Sequence, residues 1–196
     1  MSTVSWEKYQ KYTVNQIKNA EVCWEPYWHV VVENTLHPEL YEQCMANWPE
    51  ENWLKNTPKL SQCRTVYKLQ SGTEFWQDYY RYIMDHTDIQ QAVYALLDVP
   101  YRKRETMDHL YMDGEGYAVG NHVDSVAIDV AWQLYIYGTT GTNLNDSAGN
   151  LIKTVPFKPN SGWIMRNDSG SFHSCDPVDC DVRRSVMARF MTTSRG

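Results

Sequence analysis

Two imidazoles and a carboxylate can share one divalent metal ion, and this chain offers such a set in His122, Asp124 and His173. His122 and Asp124 stand two residues apart in Gly120-Asn121-His122-Val123-Asp124, so on an extended strand both side chains leave the same face. His173 lies far along the chain, between the turn-like Asn167-Asp168-Ser169-Gly170 and Asp176-Pro177, where a neighbouring strand could supply it as the third ligand. Two His and one carboxylate on one face of an octahedron leave three positions open, the arrangement non-haem iron uses for oxygen chemistry. Taken alone, His-x-Asp fits a hydrogen-bonded pair in a surface turn equally well, and a lone His173 fits a satisfied structural histidine.

The downstream spacing adds a second chemistry. Arg183 follows His173 by ten residues, and Ser185 follows Arg183 by two, so guanidinium and hydroxyl share a strand face. A guanidinium grips a carboxylate through two parallel hydrogen bonds, and a hydroxyl beside it donates one more; together they make a seat for the far end of a dicarboxylate. Arg184, of opposite parity, suits an exposed ion pair. His173, Cys175 and Cys180 form His-x-Cys-x4-Cys, but a tetrahedral zinc site needs a fourth ligand at usual spacing, which is not apparent. Arg183 and Arg189 are separated by five residues, and Arg189 reads as structural.

These groups need rigid elements to hold them. From Glu105 onward, short runs rich in Tyr, Val, Ile and Trp alternate with Gly, Asn, Asp and Pro, the texture of strands and turns. Upstream, Trp28 to Glu33 reads as a strand, and a helix opens at His37-Pro38-Glu39 and runs to about Trp48. Pro49 to Pro58 reads as a loop and Arg64 to Leu69 as a strand. Capping-box spacing at Ser71-Gly72-Thr73-Glu74 and again at Thr87-Asp88-Ile89-Gln90 predicts two helices before Pro100. The order predicts an α+β domain with helices on one outer face of a two-sheet antiparallel core. The whole chain, 1–196, reads as one domain: an N-terminal extension over 1–25, a strand and supporting helices over 26–104, and a β-rich core with the site over 105–193.

Composition narrows the function. The chain has 196 residues, 42% of them hydrophobic, enough for a core without staples. Its formal charge of -6 argues against a general nucleic-acid binder, since phosphate affinity needs many Lys and Arg. Met1 to Asn19 contains no apolar run of signal or membrane-span length, so a cytoplasmic protein without a membrane segment is expected. The five cysteines are odd in number, which suits reduced thiols packed as small hydrophobes.

The compound pattern resembles the 2-oxoglutarate and Fe(II)-dependent oxygenases, especially their prolyl 4-hydroxylase-like branch. The match runs from Tyr111, Gly114, Gly116 and Tyr117 to His122-x-Asp124, then to His173, Pro177-Val178 and Arg183-x-Ser185. His29-Val-Val-Val-Glu-Asn-Thr-Leu-His-Pro-Glu-Leu-Tyr41 resembles that branch's opening strand and helix, so the likeness covers most of the chain from about Pro26. It implies a double-stranded β-helix, or jelly roll. Fe(II) would be held by His122, Asp124 and His173, the C5 carboxylate of 2-oxoglutarate by Arg183 with Ser185, and Tyr111 and Tyr135 are candidates for the same pocket. With O2, and ascorbate as a reductant, the implied reaction hydroxylates a peptide or small-molecule substrate and releases succinate and CO2. Asp124 disfavours halogenation, which needs a small residue there, and the residues around Arg183-x5-Arg189 depart from the AlkB-like nucleic-acid demethylases. A cupin-like metal protein that ignores 2-oxoglutarate and a non-catalytic binding module are the rival readings. Trp53, Trp76 and Trp132 could line a substrate site but suit core packing better.

Overall fold

The computed structural model describes residues 5–49, 64–101, 103 and 105–191. Most of the Pro49 to Pro58 stretch and Trp53 lie outside them. The architecture is two antiparallel sheets facing each other, with helices covering the outer face of the larger sheet.

The strands are β1 (Val22–Cys23), β2 (His29–Val32), β3 (Arg64–Lys68), β4 (Thr106–Gly114), β5 (Val119–His122) and β6 (Ile128–Tyr137). They continue with β7 (Thr142–Asn145), β8 (Leu151–Val155), β9 (Gly162–Arg166), β10 (His173–Cys175) and β11 (Val182–Met191). The larger sheet runs β1-β2-β9-β6-β11-β4-β3, and the smaller β5-β10-β7-β8. Sequence neighbours are split between the sheets, so the chain crosses from one to the other repeatedly, as a jelly roll does.

Alternation along the central strands sorts residues into two cores. Leu110, Trp132, Leu134, Val186, Ala188 and Phe190 point outward from the larger sheet and pack under the helices. Tyr111, Ala131, Tyr135, Trp163, Met165 and Met187, of the opposite parity, fill the space between the sheets with Leu144 and Val155 from the smaller one. Trp76 and Trp132 are fully buried in the helix-side core, as packing residues.

The helices are α1 (Trp6–Lys18), α2 (Pro38–Ala46), α3 (Glu74–Tyr79) and α4 (Thr87–Leu96), with a π-helical turn over Tyr80–Met84 between the last two. His37 caps α2, its ring nitrogen accepting from Glu39 N–H, and Pro38 occupies the first turn where its missing donor costs nothing. One expectation is corrected. The caps of α3 and α4 are Thr73 and His86 rather than Ser71 and Thr87, and Thr73 makes no side-chain cap bond. The N-terminal extension contains α1, whose Tyr9, Thr13 and Ile17 bury a stripe at four-residue intervals. None of the described helices is long and apolar enough to cross a membrane.

One buried carboxylate sits badly with this helix-side core. Asp108 on β4 is 3% exposed, accepts a 3.3 Å bond from Gln70 Nε2, and leaves Oδ2 without a partner. Burial, with the nearby charge of Asp85 adding to it, pushes its pKa up to about 7. The folded protein therefore holds this proton more tightly than the unfolded chain. The group's stabilising contribution is complete below about pH 4 and is lost as pH rises towards 7, a swing of up to about 4 kcal/mol. Asp108→Asn is expected to raise the melting temperature at pH 8 and leave it nearly unchanged at pH 4, as followed by thermal denaturation across that range. Equal effects at both pH values would sink the assignment.

Candidate metal centre and its cavity

β5 ends on His122 and β10 begins on His173, and the two are direct cross-strand partners in the smaller sheet. Their rings lie 4.2 Å apart between centroids. Asp124 follows β5 by two residues, and its Oδ1 lies 3.9 Å from His122 Nε2. One ligand atom from each of the three residues falls within 4.8 Å of the other two, the one such group found among the described residues. An octahedral ion with bonds of about 2.1 Å holds adjacent ligands about 3 Å apart. Modest side-chain rotation closes that gap.

The protonation of the imidazoles is set by the backbone. His122 Nδ1 is 2.9 Å from Gly120 O, and His173 Nδ1 is 3.0 Å from Ser171 O. A carbonyl only accepts, so each Nδ1 carries the hydrogen and each Nε2 keeps its lone pair for a cation. Burial further lowers the pKa of His173, and the neighbouring His122 adds to this, favouring the neutral ring. Asp124 Oδ2 is buried with no hydrogen-bond partner. A buried carboxylate with one unpartnered oxygen, beside two imidazoles with free Nε2 lone pairs, is costly unless a cation completes it, so the donor set fits a divalent metal.

Asn167 braces this corner. Its Nδ2 lies within hydrogen-bond distance of the carbonyls of Asp124, Ser125 and Ile128 at 3.4, 2.9 and 3.0 Å, fastening the turn that carries Asp124. Across the smaller sheet, Asn145 Nδ2 donates to Asn121 Oδ1 and Ser174 Oγ, linking the residues beside the two histidines.

From His122 and His173 a cavity of about 70 Å3 runs between the sheets to Arg183. Arg183 is 1% exposed; its Nη1 donates to Asp113 Oδ2 at 3.1 Å, its Nη2 approaches Gln133 Oε1 at 3.4 Å, and its Nε has no partner. The turn after β6 approaches it closely: Gly138 has φ +134, and a Cβ there would stand 3.1 Å from Arg183 Cα, so only glycine fits. Asp113 is itself fully buried and is held by Arg64 through Nε at 2.5 Å and Nη2 at 2.9 Å. Arg64 in turn lies between the rings of Tyr111 and Tyr117, 4.1 and 4.2 Å from their centroids.

The remaining residues singled out in the sequence take different places. Ser185 shares the face of Arg183 but is buried behind Gln133, whose Nε2 donates to its hydroxyl at 3.0 Å. Tyr135 is also fully buried, its hydroxyl donating to Thr142 Oγ1 at 2.7 Å. Gln133 and Thr142 are the groups that border the cavity there. Thr142 Oγ1 also accepts from Trp163 Nε1 at 3.0 Å and approaches Gln133 Oε1 at 3.3 Å. Tyr111 borders the cavity and accepts a 2.8 Å bond from Arg189 Nη1. Arg189, which reads as structural in the sequence, faces the cavity, its Nε 3.9 Å from Asp124 Oδ1. Cys175 and Cys180 carry free thiols that bond to backbone carbonyls of Asp176 and Val182, and neither belongs to the group that could hold a metal.

No protein-family model matches the chain, and no curated protein matches it. Solved structures do. A Pseudomonas putida prolyl-4-hydroxylase superposes with a TM-score of 0.64 at 14% identity, covering 95% of this chain and 100% of that one. A prolyl hydroxylase from Trichoplax adhaerens, in complex with a hypoxia inducible factor peptide fragment, gives 0.56 at 11% identity over 97% and 94% of the two chains. The epimerase SnoN in complex with Fe3+, alpha ketoglutarate and nogalamycin RO gives 0.60 at 11% identity over 93% and 83%. Two facing antiparallel sheets with a His-x-Asp...His group between them, superposing on such proteins over nearly their full lengths, give this chain the double-stranded β-helix fold of the 2-oxoglutarate and Fe(II)-dependent oxygenases.

Proposed function

We propose that this protein is an Fe(II)- and 2-oxoglutarate-dependent dioxygenase that hydroxylates a peptidyl, prolyl-like residue or a small molecule, with release of succinate and CO2. The observation that carries the reading is the convergence of His122, Asp124 and His173 at one end of a cavity whose other end holds Arg183. Iron would supply the oxidising chemistry through its three open positions. The chain's own residues bind and orient. His122 and His173 present Nε2 lone pairs, Asp124 brings the negative charge, and Arg183, with its unpartnered Nε, offers donors to the C5 carboxylate of 2-oxoglutarate. Gln133 and Thr142 hold that end in register by fixing Ser185, Tyr135 and Trp163 in one hydrogen-bonded network.

The test is isothermal titration of the Mn2+-loaded protein with 2-oxoglutarate. Wild type is expected to bind at micromolar concentration, and Arg183→Gln to weaken binding by about tenfold to a hundredfold, the cost of losing a charge-assisted contact in a buried site. Absence of 2-oxoglutarate binding to wild type would favour the cupin-like reading. Tight binding without succinate formation in the presence of Fe(II) and O2 would favour a binding module.

A further inference from the structure

The cavity has more positive charge than the metal and co-substrate consume. Three guanidiniums, Arg64, Arg183 and Arg189, border it, and among the described residues two carboxylates, Asp113 and Asp124, pair with them. A divalent ion and the 2-oxoglutarate dianion cancel each other. One positive charge is left over inside a protein whose formal net charge is -6.

Geometry decides which arginine carries it. Arg64 is held by two bonds to Asp113, and Arg183 shares that carboxylate from the other side. Among the described residues the carboxylate near Arg189 is Asp124, at 3.9 Å, and Asp124 is a proposed metal ligand whose charge an ion would take up. Along β11 the side chains of Arg183, Ser185, Met187 and Arg189 leave one face, and the two arginines are separated by about 20 Å of strand. They serve different ends of the cavity, so the anion held by Arg183 does not also neutralise Arg189.

Arg189 is also pointed and braced. Its Nη1 donates to the hydroxyl of Tyr111, whose own hydrogen has no acceptor among the described residues, so the two present donors side by side next to the triad. The surroundings are electropositive enough to be felt by a neighbour. His109 is stacked on Tyr111, and burial together with the charges of Arg189, Lys68 and Arg64 pushes its pKa down to about 4, so it adds no charge of its own at neutral pH.

We infer that Arg189, with Tyr111, is a specificity-determining anion seat beside the metal, and that the substrate carries a carboxylate close to the carbon that is oxidised. This rests on the function proposed above. It narrows the peptide or small-molecule class to free acids: an amino-acid-like or hydroxy-acid-like molecule, or a chain terminus, rather than an uncharged internal residue. Burial of an unpaired carboxylate or guanidinium is expensive, so an amide in the same place leaves Arg189 without a counter-charge and loses affinity.

The experiment uses the full-length protein loaded with Mn2+ and saturated with 2-oxoglutarate, probed with N-acetyl amino acids and with the matching N-acetyl amino acid amides. Binding is read by calorimetry and by the change in the Mn2+ electron paramagnetic resonance spectrum. The acids are expected to bind at least about tenfold more tightly than the amides. Arg189→Gln should erase that difference while changing 2-oxoglutarate affinity less than about threefold, and Arg189→Lys should restore part of the preference. Equal binding of acids and amides by wild type overturns the inference and leaves the function reading standing. So does a tenfold loss of 2-oxoglutarate affinity in Arg189→Gln, which makes Arg189 a co-substrate residue. Failure of wild type to bind 2-oxoglutarate is seen before any probe is added and marks failure of the function reading instead.

Discussion

His122→Ala should bind Mn2+ at least a hundredfold more weakly than wild type and form no succinate above background, with the melting temperature of the metal-free protein nearly unchanged. The size of the metal effect follows from ligand count. Loss of a group that merely orients a ligand costs about tenfold to a hundredfold in affinity, and loss of the ligand itself exceeds that. The small effect on folding follows from position. His122 has a side chain 39% exposed at the end of β5, and its removal opens no cavity in either core. His173 is the worse probe, because it is buried against Trp163 and its loss mixes metal affinity with packing. Asp124→Asn makes a useful partner experiment: it relieves a buried carboxylate oxygen that lacks a hydrogen bond, so the metal-free variant should melt at or above wild type while losing metal. Calorimetric titration with Mn2+ checks both. Unaltered Mn2+ affinity in His122→Ala would remove the triad, and with it the function built on the triad.

How much of this could be read before folding depended on how local the signal was. His122 and Asp124 were legible because strand parity alone puts them on one face, and Arg183 because its distance from His173 completes a compound pattern. A two-sheet antiparallel core was legible from the alternation after Glu105, and its jelly-roll form from the family resemblance. Arg64, Gln133, Thr142 and Trp163 gave no comparable signal. They reach the cavity from β3, β6, β7 and β9, and the pairing of Arg64 with Asp113 joins residues 49 positions apart. Such membership is decided by which strands become neighbours and by register across the sheet, and no short window contains it. Asp113 was hidden differently: it falls inside the matched stretch between Tyr111 and Gly114, where an acid before a glycine reads as a turn. Ser185 and Tyr135 have the parity expected of pocket residues, but Gln133 and Thr142 stand between them and the cavity. Helix α1 was missed because its charged surface masks a narrow buried stripe of Tyr9, Thr13 and Ile17, and it is packing against α4 that stabilises it rather than propensity.

Asp113→Asn is the substitution expected to cost most in stability. The carboxylate is wholly buried and accepts three hydrogen bonds from two guanidiniums, of which Arg183 is nearly inaccessible and Arg64 only 14% exposed. An asparagine keeps the shape but supplies one acceptor oxygen and no charge, leaving two buried cations facing each other across it. Breaking a buried ion pair from one side costs about 3 to 5 kcal/mol, which in a protein of this size lowers the melting temperature by roughly 10 °C or more. The same argument fixes what should rescue it. Asp113 is the standing counter-ion of Arg183, the proposed co-substrate anchor, so in its absence a dicarboxylate should become the best available replacement, and mass action would convert its binding into stability. Saturating 2-oxoglutarate or succinate should therefore raise the melting temperature of Asp113→Asn by more than it raises that of wild type. A variant that melts within 2 °C of wild type would show that Asp113 does not carry the charge balance of the arginine pair. One that melts low but gains no more than wild type from dicarboxylates would separate the arginine cluster from the co-substrate seat. The two outcomes thus decide whether the buried Arg64–Asp113–Arg183 chain is architecture alone or the preorganised end of the binding cavity.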